Sequence, residues 1–355
     1  MFKKIISIAA SAAVVAGVLL AAPAQAAGQQ INGSGSSFAN NAMQACVAAY
    51  TANEATYTST GSGTGRSQFA AGTTKFGATD SVYTSGFPTT GTYTTVPLFG
   101  GPVAFVYTAA GVSDGLNLTA QNVSDIFRGV VTKWNDASIK VNNAKIKLPN
   151  KTIKVLYRSG SSGTSENIAN YLAQNLPGQG WVKSGTWATA IGSGNTPKGT
   201  GYPTSGDLAT AIEDSLNAFT YFDLSDATTA DVSVAKLKNA AGAFVAPTAS
   251  AAAKFLNAQT FVTAGTDATN GTVTIDFTKS VSGAYQLSIL TYGLAPRFVP
   301  TATNKVSTDA VKLAVGDFFK YIVGSCIPAK AASLGYVPLG GKLKTNALLQ
   351  IKSIG

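Results

Sequence analysis

The sequence predicts an α/β protein of about two domains, and three observations carry that expectation. Strand-like and helix-like segments alternate along the chain instead of clustering by type. At 355 residues the chain exceeds ordinary single-domain length. Its composition, 45% hydrophobic with only 12% charged, supplies a sizeable core and replaces charge with Ser, Thr, Gly, Ala and Asn. There is no histidine and there are two cysteines. Ser-His-Asp and Cys-His catalysis, His-based metal sites, and four-cysteine zinc or iron–sulfur sites are therefore excluded by composition alone.

Taken in order, residues 1–26 read as a secretory signal peptide: Lys3 and Lys4 precede an apolar run that ends at Pro23 and a small-x-small site, Ala24-Gln25-Ala26. The alternative, a membrane anchor, lacks a stop-transfer segment. No cysteine follows the cleavage point, so lipid anchoring has no sequence support. The mature chain then starts near Ala27, and loss of the two lysines reduces the formal charge from +10 to +8. A first helix is expected over 38–51, with Met43, Cys46, Val47 and Tyr50 on its apolar stripe. A strand over 55–60 leads through Gly61-Ser62-Gly63-Thr64-Gly65 to a helix over 66–71. A short strand, 75–78, ends at Thr79-Asp80, and 96–108 reads as a strand interrupted by Gly100-Gly101. Thr119 is placed to cap a helix carrying Val123, Ile126, Phe127 and Val130. A strand over 153–157 runs into the turn 158–164, and Ile168, Tyr171, Leu172 and Leu176 mark the helix that follows. Residues 208–216 read as helix; 219–222, 272–277 and 287–292 read as strands. The last clear helix is 310–323, with Gly324 as its stop. The Gly/Thr/Ser-rich stretches 184–206 and 263–271 read as long surface loops.

Export places Cys46 and Cys326 in an oxidising compartment, where an even pair reads as a disulfide. Two separately buried thiols are the alternative. A bond would close 280 residues, for which chain entropy sets a ceiling of about 5 kcal/mol, and it would put both ends of the chain in one domain.

Three segments share one design, small residues and hydroxyls where a strand turns into a helix: Gly33-Ser34-Gly35-Ser36-Ser37-Phe38, Gly61 to Gly65, and Arg158-Ser159-Gly160-Ser161-Ser162-Gly163-Thr164. Each offers unpaired backbone N–H groups, the positive end of a helix dipole and extra hydroxyl donors. A tetrahedral oxyanion needs such converging donors, and Arg158 adds a planar fork. Any one of these turns alone reads as an ordinary helix cap. No GxxxxGK[ST] motif accompanies them, so a Walker phosphate loop is not supported.

At these segments the chain resembles the periplasmic phosphate-binding protein of the high-affinity phosphate ABC transporter. The resemblance runs in order through Phe76-Gly77-Ala78-Thr79-Asp80, Gly100-Gly101, Asp125-Ile126-Phe127-Arg128-Gly129, Lys133-Trp134-Asn135-Asp136, the Arg158 turn, Phe318-Phe319-Lys320-Tyr321 and Gly335-Tyr336-Val337-Pro338-Leu339. Ile31-Asn32-Gly33 and Ser161-Ser162-Gly163-Thr164 are also similar to the DING branch. The resemblance implies a two-lobed, type II-like periplasmic binding protein with two crossovers and the ligand in the cleft between the lobes. It would place lobe I at 27–104 plus 285–355 and lobe II at 105–284. It assigns the anion to Ser37, Phe38 (by its backbone N–H), Ser62, Asp80, Arg158, Ser162, Gly163 and Thr164.

Asp80 would set selectivity. On its own it reads as a helix cap or a surface acid; in the family it accepts the proton that phosphate keeps at neutral pH and sulfate lacks, a kind of mismatch worth roughly 10⁴–10⁵. The resemblance departs at Gly160, where the family carries a carboxylate that pairs with the arginine, so Arg158 is expected to present a fuller charge. The expected function is a soluble periplasmic receptor that passes inorganic phosphate to a membrane permease. It implies no chemistry, cofactor, metal or nucleic acid, and a monomer. The alternatives are a DING-like secreted phosphomonoesterase and a receptor for another protonated oxyanion such as arsenate.

Overall fold

The computed structural model describes residues 28–83, 92–260, 271–301, 303 and 307–355. The expected signal peptide lies outside the described residues. The chain begins with β1 (Gln30–Gly35), α1 (Asn40–Ala49), β2 (Glu54–Ser59), α2 (Ser62–Ala70), β3 (Phe76–Thr79) and β4 (Tyr93–Tyr107). It continues with β5 (Asn117–Leu118), α3 (Ala120–Arg128), α4 (Ala137–Lys140), β6 (Lys154–Arg158), α5 (Gly163–Asn175), α6 (Trp187–Ala190), β7 (Thr200–Tyr202), α7 (Ser205–Glu213) and β8 (Ala218–Asp223). After α8 (Leu224–Thr229), β9 (Ser233–Val234), β10 (Lys236–Lys238), β11 (Phe244–Val245) and α9 (Ala249–Asn257) come β12 (Ser288–Pro296), α10 (Ala310–Tyr321), α11 (Ile327–Leu334) and α12 (Gly341–Lys352).

A mixed sheet runs in the order β2-β1-β3-β12-β4-β8-β6-β7, with β9 also paired to β4. A second sheet has the order β11-β10-β5. Strand β4 joins the two halves of the large sheet. Its fifteen residues are all buried, as expected of a strand covered on both faces. It pairs with β12 as far as Pro102 and with β8 from Val103 onward. At that changeover the Val103 N–H donates to the Leu287 carbonyl, 3.0 Å away, so the chain's outward and return passes lie side by side. Gly100 and Gly101 do not interrupt the strand. A Cβ on Gly100 would lie 2.4 Å from the Leu256 side chain, and one on Gly101 3.1 Å from the Phe38 ring. Close packing, not a turn, accounts for the pair.

The main hydrophobic core spans both halves, from Ile31 and Phe38 to Trp134, Phe219 and Phe319; a second cluster packs Leu208 and Ile212 of α7 against Leu156 and Phe222. The helix capped by Thr119 forms with Val123, Ile126 and Phe127 buried, a Thr119/Asn122 capping box and Gly129 in the left-handed conformation at its end; Val130 lies past that end and is exposed, against expectation. Three further expectations fail. Residues 272–277 form no strand; their N–H groups instead find side chains, Val273 reaching the Tyr292 hydroxyl and Phe277 reaching Gln174. Gly324 does not stop a helix: a wider π-turn over Ile322–Cys326 carries α10 directly into α11, and α12 follows. Residues 184–206 are not simply a surface loop, since α6 buries Trp187, β7 joins the sheet and Ser205 is buried. The rest of the second expected loop, 263–270, lies outside the described residues.

The π-turn presents Cys326 to α1, and the Cys46–Cys326 disulfide is formed across a Cα separation of 5.6 Å. Among the described residues no helix is long and apolar enough to cross a membrane.

Candidate functional site

Helix starts gather at the changeover between the halves of the sheet. β1 ends in the Ser36-Ser37-Phe38 turn ahead of α1; Gly61, with φ of 87°, turns β2 into α2. β6 ends at Arg158, and Ser162 caps α5 by accepting from the Ser165 N–H at 3.1 Å. That leaves the Gly163 and Thr164 N–H groups, in the first turn, without intrahelical acceptors. α7 starts at Ser205 behind a Thr204/Asp207 capping box.

Asp80, 4% exposed, lies just past β3. Its Oδ1 accepts from Ser36 Oγ at 2.7 Å and Thr291 Oγ1 at 2.8 Å. Its Oδ2 accepts from Ser36 at 2.6 Å and from Ser62 Oγ at the longer distance of 3.3 Å. Burial raises its pKa to about 6, against the lowering effect of these three hydroxyls and of Arg158. Asn167, on α5, holds the Asp80 carbonyl at 2.7 Å and so ties the loop to the helix.

Arg158, 1% exposed, is the other pole. Its Nε donates to the Pro203 carbonyl at 2.8 Å, and its Nη1 donates to Ser37 Oγ at 2.6 Å and Ser205 Oγ at 3.4 Å. Its Nη2 is buried and has no partner among the described residues, as is Thr164 Oγ1. Burial lowers the guanidinium's pKa, with Tyr221, Asp80 and Asp207 acting the other way. The expectation that Gly160 leaves Arg158 without a local partner is answered here by a main-chain carbonyl. A Cβ on residue 160 would lie 3.1 Å from that same Pro203 oxygen.

The two poles meet across short contacts. A Cβ on Gly163 would lie 2.5 Å from Ser62 Oγ and 2.9 Å from Asp80 Cβ; one on Gly61 would lie 3.2 Å from Arg158 Nη2. The Gly63 N–H donates to the Ser161 carbonyl at 3.0 Å, joining the α2 turn to the Arg158 turn. Ser37, Ser62, Asp80, Arg158, Gly163 and Ser205 thus form one buried, linked group. Ser162 acts within it as the α5 cap. Phe38 is fully buried, its carbonyl accepting from the Tyr336 hydroxyl at 2.7 Å and its ring lying edge-on to Tyr336.

Sequence reasoning passed over four participants. Ser36 sits inside the first Gly/Ser turn, where nothing in the sequence sets it apart from its neighbours, and Thr291 lies in a strand with no polar signature. Pro203 and Ser205 belong to the stretch expected to be a surface loop.

A family model described as a PBP superfamily domain matches residues 21–323. The phosphate-binding protein PstS of Xylella fastidiosa (strain Temecula1) is 30% identical over 323 residues, covering 87% of this chain and 81% of that protein. Phosphate-binding protein PstS 3 of Mycobacterium leprae is 28% identical over 332 residues, covering 89% and 84%. Among solved structures, a high affinity periplasmic phosphate-binding protein (PfluDING) bound with phosphate has a TM-score of 0.69 at 22% identity, covering 89% of this chain and 92% of that one. The phosphate-binding protein of Stenotrophomonas maltophilia scores 0.67 at 18% identity, covering 90% and 93%. The two structural likenesses share the two-lobed binding-protein fold. Given matches of this extent, the chain belongs to the PBP superfamily and, within it, to the family of the PstS phosphate-binding proteins.

Proposed function

We propose that this protein is a periplasmic receptor that closes on inorganic phosphate and delivers it to the membrane permease of an ABC transporter. Lobe I comprises 27–104 plus 285–355 and lobe II 105–284, with β4 and the 285–287 segment as the crossovers. The ligands are Ser37, the Phe38 N–H, Ser62 and Asp80 from the first lobe. Arg158, Ser162, Gly163 and Thr164 come from the second. One observation carries the reading: a buried carboxylate and a buried guanidinium share a site, and polar atoms of Arg158 and Thr164 in it lack partners among the described residues.

A tetrahedral anion satisfies both poles. Its unprotonated oxygens accept from Arg158 and the α5 N–H groups, while its one remaining proton is donated to Asp80. Binding energy comes from desolvated, prepositioned dipoles. No bond-making step is included, because the chain lacks histidine and Asp80 is engaged by three hydroxyls.

Calorimetric titration of the mature protein, stripped of ligand, tests the reading. Phosphate and arsenate, both protonated, should bind; sulfate should bind roughly 10⁴-fold more weakly. Asp80→Asn should narrow that gap, because its amide can donate to an unprotonated oxygen. Equal affinity for phosphate and sulfate would sink the role of Asp80. Metal-independent turnover of a chromogenic phosphate ester would replace the receptor with an enzyme.

A further inference from the structure

We infer that Ser205 is a direct ligand of the anion through both its backbone N–H and its hydroxyl, forming with Arg158 a donor cluster for a single anion oxygen. The inference rests on the phosphate reading above. Ser37 Oγ marks where the cluster converges. It accepts from Arg158 Nη1 at 2.6 Å and from the Ser205 N–H at 3.1 Å, and it lies 3.1 Å from Ser205 Oγ. Nη1 also reaches Ser205 Oγ, at 3.4 Å.

The polar hydrogens here outnumber what the two serine oxygens use well. A hydroxyl has two acceptor lone pairs and must place its own proton as well. Two hydroxyls, one N–H and one guanidinium nitrogen therefore share few acceptors, and the second guanidinium nitrogen, Nη2, has none among the described residues. An unprotonated anion oxygen is a pure acceptor. Placed near Ser37 Oγ, it would take the Arg158, Ser205 N–H and Ser205 hydroxyl donors together and free Ser37 to donate its own proton.

Helix α7 supports this geometry. Thr204 is its cap and satisfies the Asp207 N–H, so Ser205 is the first helical residue, with an N–H that the helix cannot use. Ser205 is 1% exposed, and α7 is anchored by Leu208 and Ile212 in a buried hydrophobic cluster. The donor is therefore fixed in place before any anion arrives.

Two substitutions separate the two donors. Ser205→Ala removes the hydroxyl. Ser205→Pro removes the N–H as well, and a first helical position accepts proline, all the more because Thr204 before it is extended (φ −123°, ψ 169°). Phosphate affinity should fall about tenfold in the alanine variant and a hundredfold or more in the proline variant. The rise in melting temperature on adding phosphate should shrink in the same order. If wild-type protein fails to bind phosphate, the phosphate reading and this inference fall together. If wild type binds and both variants bind equally tightly, only the inference falls. Should the proline variant not fold, unchanged affinity in Ser205→Ala together with unchanged affinity in Ser205→Gly overturns it.

Discussion

Asp80 and Arg158 are buried almost equally, at 4% and 1% exposure, but their surroundings differ in kind. Among the described residues, every hydrogen bond to the Asp80 carboxylate comes from a hydroxyl: Ser36, Ser62 or Thr291. Such partners can turn, or give up one bond, at little cost. Around Arg158 the acceptors are a main-chain carbonyl and two serine oxygens, and one guanidinium nitrogen has no partner among the described residues. The carboxylate wall is internally complete, whereas the guanidinium wall needs an acceptor from outside. On the proposed phosphate reading, affinity would come from the Arg158 side and discrimination from the Asp80 side.

Removing the charge from the incomplete wall should have the largest effect. Arg158→Gln keeps a polar side chain but loses the cation and the planar fork, leaving Ser37 and Ser205 with each other. Loss of a buried, charge-assisted fork costs on the order of 4 kcal/mol or more, near a thousandfold in phosphate Kd. The phosphate-to-sulfate ratio should stay close to wild type. Calorimetry with both anions decides this: a collapse of selectivity with affinity retained would reverse the assignment of the two walls.

The same contrast bears on what could be read from the sequence. Arg158 was legible from its own surroundings, because it opens a Gly/Ser turn at a strand end; Asp80, which on its own reads as a helix cap or a surface acid, was marked only by the family resemblance. The two helices that follow the Gly61 and Arg158 turns were legible for the same reason as Arg158, but both begin earlier than expected, at Ser62 and Gly163, inside the residues read as turns. The supporting residues were not. Thr291 reaches Asp80 from β12, more than two hundred residues away in sequence, and only the pairing of β12 with β3 brings it there. Ser205 and Pro203 were hidden by composition: a run of Gly, Thr and Ser looks like solvent-exposed loop unless the burial of Trp187 and the pairing of β7 are known. The π-turn at 322–326 has no sequence signature either. A glycine there looked like a stop, but the helix axis continues through it.

Where the two walls approach, the contact is sharper than at either pole. Gly163 faces Ser62 and Asp80 so closely that a Cβ would lie 2.5 Å from Ser62 Oγ and 3.1 Å from the Asp80 N. The Asp80 contacts are to its backbone and Cβ, which cannot swing aside. Gly163→Ala should therefore hold the walls apart while leaving α5 intact, since alanine favours helix. Phosphate affinity should drop about a hundredfold, an effect on the order of 3 kcal/mol. Ligand-free thermal stability should change little. Small-angle scattering provides the check: the phosphate-induced contraction expected of wild type should be lost. A variant that contracts normally would show that the walls do not close on this contact.

The smallest expected effect concerns the Asp80 wall alone and is read without ligand. Burial raises the Asp80 pKa from 3.8 to about 6, so the folded state holds a proton that the unfolded chain releases earlier. The sign follows: this contribution to stability is fully present below the unfolded value and is lost as pH rises through about 6. Between pH 5 and 7 the loss amounts to about 1 kcal/mol. Asp223, also buried with a raised pKa, pushes in the same direction, so the wild-type slope alone does not isolate Asp80. The difference between wild type and Asp80→Asn does. Urea unfolding of both proteins at pH 5, 6 and 7 should show a steeper fall for wild type, by about that amount. Phosphate should then remove the excess slope, because its own proton takes the place of the one Asp80 gives up. Parallel slopes for the two proteins would mean that Asp80 is already ionised throughout this range, and discrimination would then rest on the carboxylate's charge without help from its burial.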